Sequence, residues 1–313
     1  MKPAVLSRAM LGLAVLSFAA GCANDVTNPP APSLAPTSHT AALAQIGTVV
    51  YNNIPSQLPG NVPSQGFQCC QTAEFGDNVE LAGTARRPIS ATVLMSDWAM
   101  HSTYPDMPAA GYTHPITLNI YAVTNVGGTP ALGALLGTVA QSFLIPWRPE
   151  PTPSCGTAWK ASNGTCYNGF AFTITFDLTS LSIVLPNDVI VGVAYNTNSW
   201  GYHPLGIAGP YESLNVGTVA ISPSVGTDVE PDAVFWNTGV AAWYSDGGTG
   251  GVSIFRRDTG WTGYAPSFSI TAGNPVATTK DACKGNGWQT LGRTDGSTFK
   301  NQGDCVQFVN TGK

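Results

Sequence analysis

The chain has 313 residues, of which 13 are Lys or Arg and 18 are Asp or Glu, and its net charge is -5. Charged residues make up 10% and aromatic residues another 10%; soluble domains usually carry ~25% charged residues. That balance excludes a disordered chain, which needs high charge and few rings, and a nucleic-acid binder with a basic face. With 35 Gly and 24 Pro, it points to an exported, turn-rich, all-β protein.

Met1, Lys2 and Arg8 give a positive start, and Met10–Ala20 is an apolar run. About a dozen residues are too few to span a bilayer but suit a signal-peptide core. The run ends in Ala19-Ala20-Gly21-Cys22, which resembles a bacterial lipoprotein signal. That resemblance implies a signal peptide over residues 1–22, with Cys22 lipidated. The implied location is the cell envelope or surface, anchored to the membrane by lipid; without lipidation the protein is secreted. Residues 23–44 contain four prolines and no aromatic ring, the composition of a tether.

From residue 45 to 273 the hydrophobic pattern has period two, as in half-buried strands. Clear runs are Pro88–Trp98, Pro115–Thr124, Asn168–Leu178 and Asp188–Tyr195. Shorter strands are predicted at Thr48–Tyr51, Phe67–Thr72, Asn78–Ala82, Leu135–Phe143, Leu214–Ala220, Ala233–Asn237, Val252–Arg256 and Ser267–Thr271. Turn signals such as Asn125-Val126-Gly127-Gly128 separate them. About a dozen short strands predict an antiparallel β-sandwich of jelly-roll-like type.

Setting Cys22 aside leaves six cysteines. An even number in an exported chain predicts disulfides. Local pairing would join Cys155 to Cys166 and Cys283 to Cys305, although spacing leaves the connectivity open. Cys69 and Cys70 admit three readings: independent roles on opposite strand faces, a vicinal disulfide, or two buried thiols. Zinc would need a further Cys or His pair at ligand spacing, and His39, His101, His114 and His203 do not supply one. Residues 280–313 carry eight charges, net +2, and differ from the body. A Cys283–Cys305 bridge with Trp288, Phe299 and Phe308 would staple them into a small segment.

The stretch from Val50-Tyr51 through Leu58-Pro59-Gly60-Asn61-Val62-Pro63 to Glu74-Phe75-Gly76-Asp77 resembles the start of a family of bacterial secreted proteins of unassigned function. Met95-Ser96-Asp97-Trp98, Leu185-Pro186-Asn187-Asp188 and Gly209-Pro210-Tyr211-Glu212-Ser213-Leu214 are similar to later blocks of it. The resemblance covers most of residues 49–272. It implies an extracellular β-rich domain and carries over no catalytic residue. Residues 283–288 and 299–309 resemble a Cys-pair module found at the ends of bacterial exported proteins.

Chemistry is sparse. A nucleophile elbow, a phosphate loop and a His-Glu-x-x-His motif are all absent. Glycoside cleavage needs two carboxylates in one cleft; Glu74, Asp77, Glu80, Asp97, Glu212, Asp228, Glu230 and Asp232 are the candidates. Asp228, Glu230 and Asp232 alternate and could offer oxygen ligands to Ca²⁺; no other cofactor is indicated. Aromatic residues gather late in the chain. Trp98 and Trp236 read as core. Trp200 and Trp243 read as exposed, and with Tyr202 and Tyr244 they form a candidate platform for a glycan or cell-wall ligand. The leading expectation is therefore non-catalytic binding or adhesion. The alternatives are a polysaccharide hydrolase or lyase and a structural envelope component.

Overall fold

Alternating side chains build two sheets that face each other across one core. The computed structural model describes residues 47–313. The expected signal peptide, Cys22 and the expected tether lie outside the described residues.

The strands are, in chain order, β1 (Thr48–Asn52), β2 (Ser64–Gly66), β3 (Thr72–Glu80), β4 (Arg87–Asp97), β5 (Tyr112–Val126), β6 (Thr129–Ile145), β7 (Trp159–Lys160), β8 (Cys166–Tyr167), β9 (Phe170–Asp177), β10 (Asp188–Ala194), β11 (Leu214–Val219), β12 (Thr227–Asp228), β13 (Ala233–Thr238), β14 (Arg256–Thr259), β15 (Ala265–Pro266) and β16 (Phe268–Gly273). The first sheet has the order β1-β16-β4-β11-β15, with β2 beside β11 and β9 along β4. The second has the order β14-β13-β3-β10-β5-β6, with β12 beside β3. All pairings in both sheets are antiparallel. The predicted all-β sandwich is the observed architecture.

The core is the meeting of the inward faces. Ala91, Val93 and Met95 of β4 oppose Phe75 and Val79 of β3, Leu118 and Ile120 of β5, and Val189, Val191 and Val193 of β10. In β4 the alternation predicts the inward face correctly. It also explains a misreading at its end. Asp97 takes the inward position and is fully buried, so Trp98 turns outward and is 44% exposed rather than core. Its Nε1 donates to Ser96 Oγ at 3.0 Å.

Strand β3 was harder to read. Its run Thr72–Glu80 is buried on both faces, so polar and apolar positions do not alternate. Gly76 is required there, since a Cβ would overlap the Val191 carbonyl of β10. The segment expected as a strand at Phe67–Thr72 is mostly turn, and Val252–Phe255 is loop leading into β14.

Both predicted disulfides, Cys155–Cys166 and Cys283–Cys305, are present. Such bonds suggest an extracytoplasmic protein. No helix among the described residues is long and apolar enough to cross a membrane.

The C-terminal segment ends in a short helix, α1 (Gln302–Thr311), whose N-cap Asn301 accepts the Asp304 N–H. Cys283, Cys305, Phe299 and Phe308 form a separate small cluster with Ala277, and Trp288 packs on it. Arg293 pairs with Asp304 at 2.6 Å and lies 4.7 Å from the Phe299 ring centre. With so few apolar groups, the bridge closing a sequence separation of 22 residues contributes about 3 kcal/mol. Replacing both cysteines, Cys283→Ser with Cys305→Ser, is expected to expose Arg293 and Lys300 to trypsin. The sandwich should keep its melting transition; a matching loss of the sandwich transition would show that the segment supports the whole fold.

Candidate functional site

One groove of about 630 Å³ opens where the ends of both sheets meet, within the range of small-molecule sites. Each sheet supplies part of its lining. Strand β2 brings Ser64 and Gln65, and β11 brings Thr218. Strand β13 brings Trp236 and β14 brings Asp258 and Thr259. The loops add Trp243, Ser245, Trp261 and Tyr264.

The aromatic wall is ordered by its buried member. Trp236 is buried; Trp243 stacks parallel to it at 6.2 Å between ring centres, and Trp261 meets it edge-on at 5.1 Å. Trp243 is 42% exposed and Tyr264 51% exposed. The groove therefore presents flat rings held by packing rather than free side chains.

The Thr72 hydroxyl fixes Trp236. It accepts the indole Nε1–H at 3.0 Å and the Gln65 side-chain amide at 3.3 Å, and donates to the Gly66 carbonyl at 3.1 Å. One donated and two accepted bonds use the full capacity of a hydroxyl.

The groove has one carboxylate in its lining, Asp258, and both oxygens are engaged. Oδ1 accepts Ser245 N–H and Oγ–H, each at 2.8 Å, and Oδ2 accepts the Trp261 indole N–H at 2.9 Å. Asp258 thus orients the wall. Thr218 differs. It is 2% exposed, and its Oγ1 has no hydrogen-bond partner among the described residues. A buried hydroxyl without a partner is costly, and this one belongs to the groove lining.

The predicted platform is only partly assembled. Trp243 is on the groove. Tyr244 is buried, with Arg256 3.7 Å over its ring. Its hydroxyl accepts Thr238 N–H and lies within reach of the Trp236 and Ile254 carbonyls. Both Trp243 and Tyr244 pack on Trp236 after the short helical turn at Ala241–Trp243, but only Trp243 keeps an exposed face. Trp200 and Tyr202 do not line the groove. Trp200 is half-buried rather than exposed. Tyr202 donates its hydroxyl to the buried Glu74 at 2.6 Å, beside Tyr121 at 3.0 Å and the Asn119 amide at 2.9 Å. Burial raises the Glu74 pKa, and these hydrogen bonds oppose the rise.

The other carboxylates sit apart from the groove. Glu230 receives Arg257 through both oxygens, at 2.6 to 2.9 Å. Asp228 accepts the Glu230 N–H at 3.1 Å. Among the described residues no three His, Cys, Asp or Glu side chains come together to hold a metal, so Asp228, Glu230 and Asp232 do not form a Ca²⁺ ligand set. Asp77 is buried in the interior, and burial, with Asp228 and Glu230 nearby, pushes its pKa well up.

Sequence reading singled out neither Thr218 nor Gln65. Both lie on strands far in sequence from the tryptophans. Trp261 and Tyr264 belonged to the late aromatic group, and that composition was the available signal. Comparison with family models, curated proteins and solved structures finds no match.

Two outcomes follow. Thr72→Val leaves the Trp236 indole N–H buried without an acceptor, while the Gln65 amide keeps the Gly66 carbonyl at 2.9 Å, at a cost of about 1–3 kcal/mol. Denaturant unfolding should show that loss together with a shifted tryptophan emission; an unchanged midpoint would refute the role of the hydroxyl. The second concerns pH. Burial pushes Asp97 from 3.8 up to about 8, against hydrogen bonds from Ala99 and Tyr112. Between those values the folded state keeps a proton that the unfolded chain has lost, so this contribution falls as pH rises. Buried His114, pushed from 6.5 down to about 4, opposes this only below pH 6.5. From pH 6.5 to 7, below the range in which the lowered Cys69 thiol acts with the opposite sign, stability should therefore fall with rising pH, by up to about 1.4 kcal/mol per unit from Asp97. Asp97→Asn should flatten the slope of melting temperature against pH; an unchanged slope would count against it.

Proposed function

We propose that the protein binds a neutral carbohydrate in this groove without cleaving it. The observation that carries the reading is the conjunction of exposed Trp243 and Tyr264 rings with the half-buried Ser64 and Thr259 hydroxyls in one lining. A sugar ring has apolar C–H faces that pack on flat aromatic surfaces, and hydroxyls at its rim that pair with polar side chains. The groove offers both kinds of partner. Asp258 is the one charged side chain in the lining, and it is saturated by Ser245 and Trp261, which favours an uncharged ligand. Two-acid glycoside cleavage needs a pair of carboxylates, and a single engaged one supports binding instead.

A location outside the cytoplasm agrees with this reading. The signal segment and Cys22 add the proposal that the domain is a lipoprotein, held at the membrane by acyl chains and displayed on the residue 23–44 tether. Metabolic palmitate labelling of wild type but not of Cys22→Ala would support it; equal labelling would overturn it.

The binding test is a glycan array followed by titration with the best neutral glycan. Trp243→Ala and Trp261→Ala should each weaken binding by roughly tenfold or more, about 1.4 kcal/mol. Thr218→Val should leave affinity unchanged and stability equal or higher, because the hydroxyl it removes is buried and unpaired. Tyr202→Phe should leave affinity unchanged. No glycan bound by wild type, or equal loss in Tyr202→Phe, would overturn the assignment.

A further inference from the structure

We propose that Cys69 and Cys70 are a reversible dithiol–disulfide site that closes a vicinal disulfide within one chain. They lie in the turn between β2 and β3, and Cys69 is exposed. The residue after the pair, Gln71, has a left-handed backbone with φ 51°. The Cys69 sulfur sits over Gly66, where a Cβ would come within 2.5 Å of it. The Cys70 thiol hydrogen-bonds to the Cys69 sulfur, so the two sulfurs already face each other.

Backbone and side-chain contacts anchor the turn on both sides of the pair. The Cys70 carbonyl accepts Thr238 Oγ1–H at 2.8 Å, and the Gln71 carbonyl accepts Gly239 N–H at 2.9 Å. The Gln68 side-chain oxygen accepts Thr197 Oγ1–H at 2.5 Å. Cys69 is thus the exposed member of a fixed turn, and Cys70 packs half-buried against the core behind it. Neither lines the aromatic groove, so this site stands or falls apart from the carbohydrate reading.

The two thiols are unequal. The Cys70 S–H holds Cys69 down to about 7, so a large fraction is thiolate near neutral pH. The same contact, with burial, holds Cys70 far up. The order of events follows. The Cys69 thiolate attacks a small dialkyl disulfide, an S–S bond breaks, and one thiolate leaves. The charge on Cys69 is then gone, and with it the main cause of the high Cys70 pKa. Cys70 loses its proton to solvent and attacks Cys69 Sγ, expelling the second thiolate. Two S–H bonds are replaced by one S–S bond, and the dialkyl disulfide becomes two thiols. An oxidising compartment, to which the Cys155–Cys166 and Cys283–Cys305 bonds point, supplies oxidants of this class.

The test treats the full-length protein with glutathione disulfide, quenches with an alkylating reagent and analyses the chymotryptic peptide Gln68–Phe75. The expected peptide is unalkylated and lighter than the dithiol by two hydrogen atoms. After reduction it should take up two alkyl groups. Cys70→Ser should stop at a glutathione adduct on Cys69, and Cys69→Ser should react roughly tenfold more slowly. The proposal is overturned if the wild-type peptide carries two alkyl groups, keeps a glutathione adduct, or links two copies of the chain. Equal rates for the two variants would also overturn it.

Discussion

The hydroxyl of Thr72 joins the two sheets at the end where the groove opens. It sits on β3 of one sheet, donates to Gly66 on β2 of the other, and receives Gln65 from that sheet and Trp236 from its own. Because both acceptor sites and the single donor are used, its position is set by three neighbours at once. Trp236 is placed by that hydroxyl, Trp243 stacks on Trp236, and Trp261 is placed by Trp236 together with Asp258. The exposed face of the groove thus inherits its geometry from a hydrogen bond made in the interior.

Sparse charge has a structural counterpart. Among the described residues, several acids are buried against the usual preference of carboxylates for water. Glu74 is held by two tyrosine hydroxyls and an amide rather than by a cation. Asp258 is held by a serine and an indole. Neutral donors therefore do the work that ion pairs do elsewhere, while pairs such as Arg257–Glu230 and Arg256–Asp246 lie nearer the surface. The same neutral chemistry dominates the groove lining, and the proposal of an uncharged ligand rests on it.

The turn carrying Cys69 and Cys70 occupies a related position. Thr238 reaches from β13 to the Cys70 carbonyl, and its hydroxyl also receives Val240 N–H at 3.1 Å, at the start of the segment that carries Trp243. A redox-active turn and an aromatic wall are thus held by one strand end. Neither could be placed from sequence, because residues 69–70 and 238–243 are far apart in the chain and meet only through the pairing of β13 with β3.

Local physics determined much of this protein in advance. Period-two alternation located β4, β5, β9 and β10, whose inward and outward faces differ. Cysteine spacing anticipated both bridges, and composition separated the last 34 residues from the body. Strand β3 was caught only at its end, by the Asn78–Ala82 run, because both of its faces are buried, and α1 escaped because ten residues with two buried side chains give a weak stripe. The ligand platform was legible only as an aromatic-rich region. Which rings face outward depends on register and on a single turn of helix, so of Trp243 and Tyr244, adjacent in the chain, only Trp243 keeps an exposed face. Thr218, Gln65 and Thr72 became site residues only when two sheets met, since a sequence records neighbours along the chain and the groove is made of neighbours across it.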